Sequence, residues 1–303
     1  MNALQEEILQ LKKDKNAVIL GHNYQRKEVQ DICDFLGDSY GLSVQATKVE
    51  ADMIVFCGVD FMAESAKILN PQKTVLLPNL KSMCPMAAMV DVEGLRGFKA
   101  ENPGVPVVSY VNTSAAVKGE TDICCTSANA VKIVRSLPDE KIIFVPDSNL
   151  GLYVQRYVKD KEMLLWAGYC PTHVDIHLDA LKELKSAHPD AEVLVHPECT
   201  PDVIDFADFA YSTEGIIRHV VSSPLKEFII GTEANMNHRL RKEAPGKMFY
   251  AVDAAICPNM REITLENVRD SLLISQHKVE LSDEVIAKAR VPLERMLEAG
   301  RQD

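Results

Sequence analysis

The sequence predicts an α/β protein: three homologous α/β/α modules, each built on a parallel sheet, in pseudo-threefold arrangement around a central active site. Three observations carry the prediction. Cys-Pro occurs three times, at Cys84, Cys170 and Cys257, at intervals of 86 and 87 residues. Further stretches align at the same period. The apolar runs are short, β-branched and separated by helical patterns, as in parallel sheets covered on both faces.

Each unit opens with a helix, a turn and a strand: "LQLKKDKNAVILGHNY", "LRGFKAENPGVPVVSYVN" and "LKELKSAHPDAEVLVHPE". The strands run out into polar ends, His22 to Tyr24, Tyr110 to Asn112 and His196 to Glu198. About 16 residues on, "DFLGDSYGL", "DICCTSANAV" and "FAYSTEGII" put Ser39, Ser127 and Ser212 where a helix begins, a good place for an N-cap. A buried strand then leads to an acidic residue (Asp60, Asp147, Glu233) and a helix, and "TVLLPN", "MLLWAG" and "MFYAV" close each unit ahead of its cysteine. The expected units are 1–84, 85–170 and 171–257. Residues 258–303 are expected to form a helical segment packing back on the body.

At 303 residues and 47% hydrophobic content the chain can bury a large core. Its charged opening, "MNALQEEILQLKKDK", is unlike a secretory signal, and no apolar run nears the roughly 18 residues of a membrane span. A cytoplasmic protein is expected. A net charge of −11 without a basic run argues against nucleic acid or an anionic membrane as partner. Of the eight cysteines, Cys33, Cys57, Cys124, Cys125 and Cys199 lie in or beside apolar runs and read as small buried thiols.

In right-handed β/α units ligands bind beyond the carboxyl ends of the strands. The polar ends, the serines and the Cys-Pro points all fall there, so three modules facing one centre would gather them. Cys-Pro could simply terminate a strand three times over. The competing reading is a trigonal thiolate site, with proline fixing the loop that carries each sulfur. Zinc on three cysteines and a histidine is possible, although the close C-x₂-C pair usual in structural zinc sites is missing. A [4Fe–4S] cubane ordinarily takes four cysteines, so three would leave one iron free to act as a Lewis acid. His22, Tyr24, Tyr110, Asn112, His196 and Glu198 offer donors and acid–base groups around it. The serines, with Thr213, are caps or anion contacts.

Taken together, "GHNYQ", "QDICDFLGDS", "GVDFMAESAKILNP", "CPMA", "YVNTSA", "TSANAV", "PDSNLG", "HPEC", "GTE" and "CPNM" resemble quinolinate synthase, over nearly the whole chain. That family condenses iminoaspartate with dihydroxyacetone phosphate in de novo NAD biosynthesis. The resemblance implies a [4Fe–4S] cluster on Cys84, Cys170 and Cys257, with its open iron coordinating substrate. It implies that His22, Tyr24, Ser39, Tyr110, Asn112, Ser127, His196, Glu198, Ser212 and Thr213 line the pocket, with Glu198 the candidate base and His196 and Tyr24 assisting. Longer family members carry C-x-x-C-x-x-C ending in the third ligand; Ala251 and Ala254 stand at the two extra places here. A functional link to an oxidase or dehydrogenase that makes iminoaspartate is also implied. The rival readings are a zinc-dependent hydrolase or lyase, an electron-transfer or iron-sensing module, and a structural scaffold.

Overall fold

The computed structural model of the chain describes residues 2–302. Among these residues twelve strands form three separate four-stranded sheets, all parallel. The first contains β1 (Ala17–His22), β2 (Phe35–Gly37), β3 (Met53–Cys57) and β4 (Thr74–Leu76). The second contains β5 (Val107–Tyr110), β6 (Ile123–Cys125), β7 (Lys141–Val145) and β8 (Glu162–Leu165). The third contains β9 (Glu192–Val195), β10 (Phe209–Ala210), β11 (Glu227–Gly231) and β12 (Met248–Ala251).

The spatial orders β2-β1-β3-β4, β6-β5-β7-β8 and β10-β9-β11-β12 are one order used three times. The chain is therefore α/β with three homologous α/β/α modules, as the repeats predict. In β1, β5 and β9 nearly every residue is buried, without the alternation of a one-sided sheet. Ile19, Leu20, Ile54 and Val55 of the first sheet and Ile142 and Phe144 of the second are all inaccessible.

Small devices repeat with the sheets. A carboxylate oxygen of Asp34, Asp122 and Asp208 accepts a backbone N–H in the first half of the neighbouring central strand, at Ile19, Val107 and Val193, each at 2.8 Å. Lys73, Lys161 and Lys247 each donate to two carbonyls at or just past the C-terminal end of a helix: Val49 and Ala51, Leu137 and Asp139, Val220 and Ser223. The turn that leaves the helix is thus tied down by the same side chain in every unit.

Beyond Cys257, helix Leu265–Ile274 packs on the first helix, Ala3–Asp14, and helix Asp283–Ala299 lies against β6 and helices Ala115–Lys118 and Asp60–Leu69. Ile286, Ala289, Leu293 and Met296 form its buried stripe. After it, the Gly300 carbonyl accepts from Asn129 Nδ2, the Gln302 N–H bonds the Ala128 carbonyl, and Arg301 pairs with Asp38 at 2.7 Å. No described helix is long and apolar enough to cross a membrane.

Candidate active site

The carboxyl ends of the strands from all three sheets open on one cavity, about 770 Å³ of space free of protein atoms and partly open to solvent. Of the residues predicted from sequence, Cys84, Cys170, Cys257, His22, Tyr24, Ser39, Tyr110, Asn112, Ser127, His196, Glu198 and Thr213 all line it. Ser212 does not. Its hydroxyl caps helix Thr213–Ser222 by accepting the Gly215 N–H at 3.2 Å, and lies 3.4 Å from Arg301 Nη1.

His22 and His196 are held the same way in the first and third units. Each accepts, at Nδ1, the backbone N–H two residues further on: Tyr24 at 3.2 Å and Glu198 at 3.3 Å. A neutral ring so engaged carries its proton on Nε2 and presents a donor. His196 Nε2 lies 3.1 Å from Ser127 Oγ. Burial pulls His22 down to about 4 and His196 to about 3, so both rings are neutral at pH 7.

Glu198 is the acceptor on which the others converge. Tyr110 donates its phenol proton to Oε1, and His173 Nδ1 lies 2.7 Å from Oε2 and 3.1 Å from Cys170 Sγ. Burial pushes the Glu198 carboxyl up, but the close approach of His173 and the hydrogen bonds from His173 and Tyr110 outweigh it and hold it below the usual carboxylate range. Burial, with the Glu198 charge, drives the Tyr24 and Tyr110 phenols well above 10, so both stay protonated. The site therefore pairs one buried anion with neutral donors.

All three Cys-Pro thiols are free and partly exposed, and burial raises each of them. Asp60 Oδ1 accepts the Cys84 N–H at 3.0 Å and Glu233 Oε1 accepts the Cys257 N–H at 3.3 Å. Burial lifts Glu233 to about 7. In the second unit Asp147 turns the other way and caps helix Ser148–Gln155 through Asn149 and Leu150. Among the described residues, neither lysine nor arginine lines the cavity. Cys170, His173 and Glu198 offer ligand atoms within 4.8 Å of one another and form a possible metal-binding group.

Sequence reasoning missed two residues here. His173 lines the cavity three residues after Cys170, where the other two units have Ala87 and Met260. Thr232, just behind the wall, bonds both Tyr24 and His173. The available signal for each was a polar residue breaking an apolar repeat position.

Fold and cavity together define an enzyme of three α/β units with a thiol-rich, metal-competent centre between them. A family profile described as quinolinate synthetase A protein matches residues 6–298. The chain is 55% identical over 295 residues to quinolinate synthase of Methanoregula boonei, covering 97% of each chain. It is 54% identical over 299 residues to that of Geobacter sp. strain M21, with 98% of each covered, and 52% identical over 293 residues to quinolinate synthase 1 of Methanosarcina acetivorans, with 96% of each covered. The chain belongs to the quinolinate synthetase A family.

Proposed function

We propose that the chain condenses iminoaspartate with dihydroxyacetone phosphate to give quinolinate, phosphate and water, in the cavity between its three units and with a [4Fe–4S] cluster on Cys84, Cys170 and Cys257. The observation that carries this is the meeting, in one cavity, of three free thiols from three units with a buried carboxylate and neutral donors. The donor set fits the cluster. Three thiolates beside Glu198 need positive charge, and among the described residues no lysine or arginine lines the cavity to supply it. Cys84 and Cys257 stay outside the group compact enough for a single ion, which suits a larger centre better than one zinc. When bound, a cubane with only three protein ligands supplies a Lewis acid that polarises a carboxylate or hydroxyl oxygen.

The rest falls to the side chains. Glu198 Oε2, ionised and sheltered, takes and returns protons during isomerisation and dehydration, with His196 and Tyr24 assisting. His22 and His196 bind substrate oxygens through Nε2–H, and the Tyr110 phenol steadies Glu198 and donates to developing charge. Asn112, Ser39, Ser127 and Thr213 clamp carboxylate or phosphate oxygens, and Ser212 acts one step back through the helix it caps. No net redox change is needed, in keeping with Lewis-acid use of the cluster.

The units are read as 1–84, 85–170 and 171–257, with 258–303 laid back on the body; the thrice-used strand order supports those boundaries. The reaction's place is the cytoplasm, beside an oxidase or dehydrogenase that makes iminoaspartate. Charge and composition favour small molecules over nucleic acid or membrane as partners.

The test is anaerobic iron and sulfide content with optical and EPR spectra, repeated after adding quinolinate. About four irons per chain and a spectrum that quinolinate perturbs are expected. One zinc, or a colourless protein after anaerobic reconstitution, would overturn the reading and favour an ion on Cys170, His173 and Glu198.

A further inference from the structure

We infer that Arg301 is a positioning residue for anion binding in this cavity: from behind the wall it cancels the charge of Asp38 and holds the segment that carries Ser39. The inference deepens the proposed condensation and rests on it for the identity of the anions.

Both proposed substrates and the product are anions, yet among the described residues no lysine or arginine lines the cavity, and its wall holds a second buried acid besides Glu198. That acid is Asp38, which is 5% exposed and caps helix Ser39–Lys48, its Oδ1 accepting the Gly41 N–H at 2.7 Å. Its Oδ2 is buried and meets no hydrogen-bond donor among the described residues. A negative charge there stands one residue from a serine proposed to clamp carboxylate or phosphate. Left uncompensated, it repels the groups that the serine should hold.

Arg301 compensates it from the far side. It lines a neighbouring groove, with Gly37, Gly41 and Glu214, and not the cavity itself. Its Nη2 donates to Asp38 Oδ1 at 2.7 Å, its guanidinium lies over the Tyr40 ring, 5.1 Å from the centroid, and its Nη1 is 3.4 Å from Ser212 Oγ. The residues on either side reach the second unit: the Gly300 carbonyl accepts from Asn129 Nδ2 at 3.1 Å, and the Gln302 N–H donates to the Ala128 carbonyl at 3.0 Å. Three consecutive residues therefore touch the segments that carry Ser39, Ser127 and Ser212, one from each unit.

The repeat argues independently that the pair is more than scaffold. Ser127 and Ser212 are preceded by Thr126 and Tyr211, both uncharged, in units of the same strand order. Asparagine caps a helix about as well as aspartate does, so the fold does not require a charge at this place. The acid stands in the first unit alone, and there the tail brings a cation to it.

The experiment is anaerobic calorimetry of quinolinate binding to the intact iron-loaded protein, for Arg301→Gln, Asp38→Asn and the two combined. Asparagine at position 38 keeps the Oδ1 acceptor and drops the charge. Arg301→Gln should weaken binding about tenfold to a hundredfold, and the combined variant should return to within about threefold of wild type. In steady-state rates the loss in Arg301→Gln should fall on KM for both substrates, with kcat within about threefold. A tail that merely staples the units predicts no such rescue, because asparagine restores none of the lost guanidinium contacts. Wild-type affinity in Arg301→Gln, or a combined variant that binds no tighter than Arg301→Gln, would overturn the inference. A wild-type protein that neither makes nor binds quinolinate would sink the proposed condensation instead. Arg301 is then judged with malonate and inorganic phosphate as the probes. Weakening in Arg301→Gln that Asp38→Asn reverses supports the role; a wild-type protein that binds neither anion, or a loss that is not reversed, removes it.

Discussion

The polar ends of the first and third central strands share a backbone and differ in chemistry. His22-Asn23-Tyr24 and His196-Pro197-Glu198 both fold back so that the third residue's N–H enters the ring of the first. That turn fixes both imidazoles as buried neutral donors. The third position then diverges: one unit presents a phenol that burial keeps protonated, the other a carboxylate that its neighbours keep ionised. A repeated scaffold thus supplies equivalent places, and one side-chain change per place decides which keeps a proton and which keeps a charge.

The sharpest way to break this contrast is Glu198→Gln, which keeps the shape and removes the anion. Turnover should fall by about a thousandfold, with iron content unchanged; wild-type turnover would take Glu198 out of the proton-transfer role. Next in size is acid stability, which tests the likeness of the two histidines. Both have folded values below the ordinary 6.5, so the unfolded chain binds protons that the folded chain refuses. Their contribution is complete above about pH 6.5 and is lost as pH falls toward 4 for His22 and 3 for His196. Each should account for about 2 kcal/mol by pH 4.5, read as a smaller acid shift in urea midpoint for His22→Asn and His196→Asn than for wild type.

Tyr24→Phe probes the phenol side and should lower kcat about tenfold, well short of the Glu198 effect. An equal loss would mean that the two places are not specialised as described. Least is expected of Ser212→Ala, which removes a cap rather than a cavity group: about 1 kcal/mol of stability and turnover within twofold, checked by thermal melting and steady-state rates. A large loss of turnover at unchanged stability would return Ser212 to the substrate contacts.

Much of this was legible in the sequence because repetition makes equivalent residues announce one another. Three Cys-Pro points and three strand ends at one period lead to one cavity, and two of the three serines, Ser39 and Ser127, line it. Repetition also hides. His173 and Thr232 have apolar counterparts, so aligning the units discards them, although His173 holds Glu198 at 2.7 Å. Ser212 was the opposite case: its position in the repeat matched those of Ser39 and Ser127, but its side chain is spent on Gly215. Equivalence of backbone is what a repeat predicts; the direction a side chain takes depends on neighbours from other units.

The helix Asp283–Ala299 and the three residues after it cover parts of the first and second units and reach Asp38, Ala128 and Asn129. On the ribosome this means that the first two sheets emerge long before the surface that will cover them. The nascent chain carries an apolar groove between those units until Asp283–Ala299 has emerged. A nascent chain stalled after the second unit therefore exposes apolar surface that the folded chain buries.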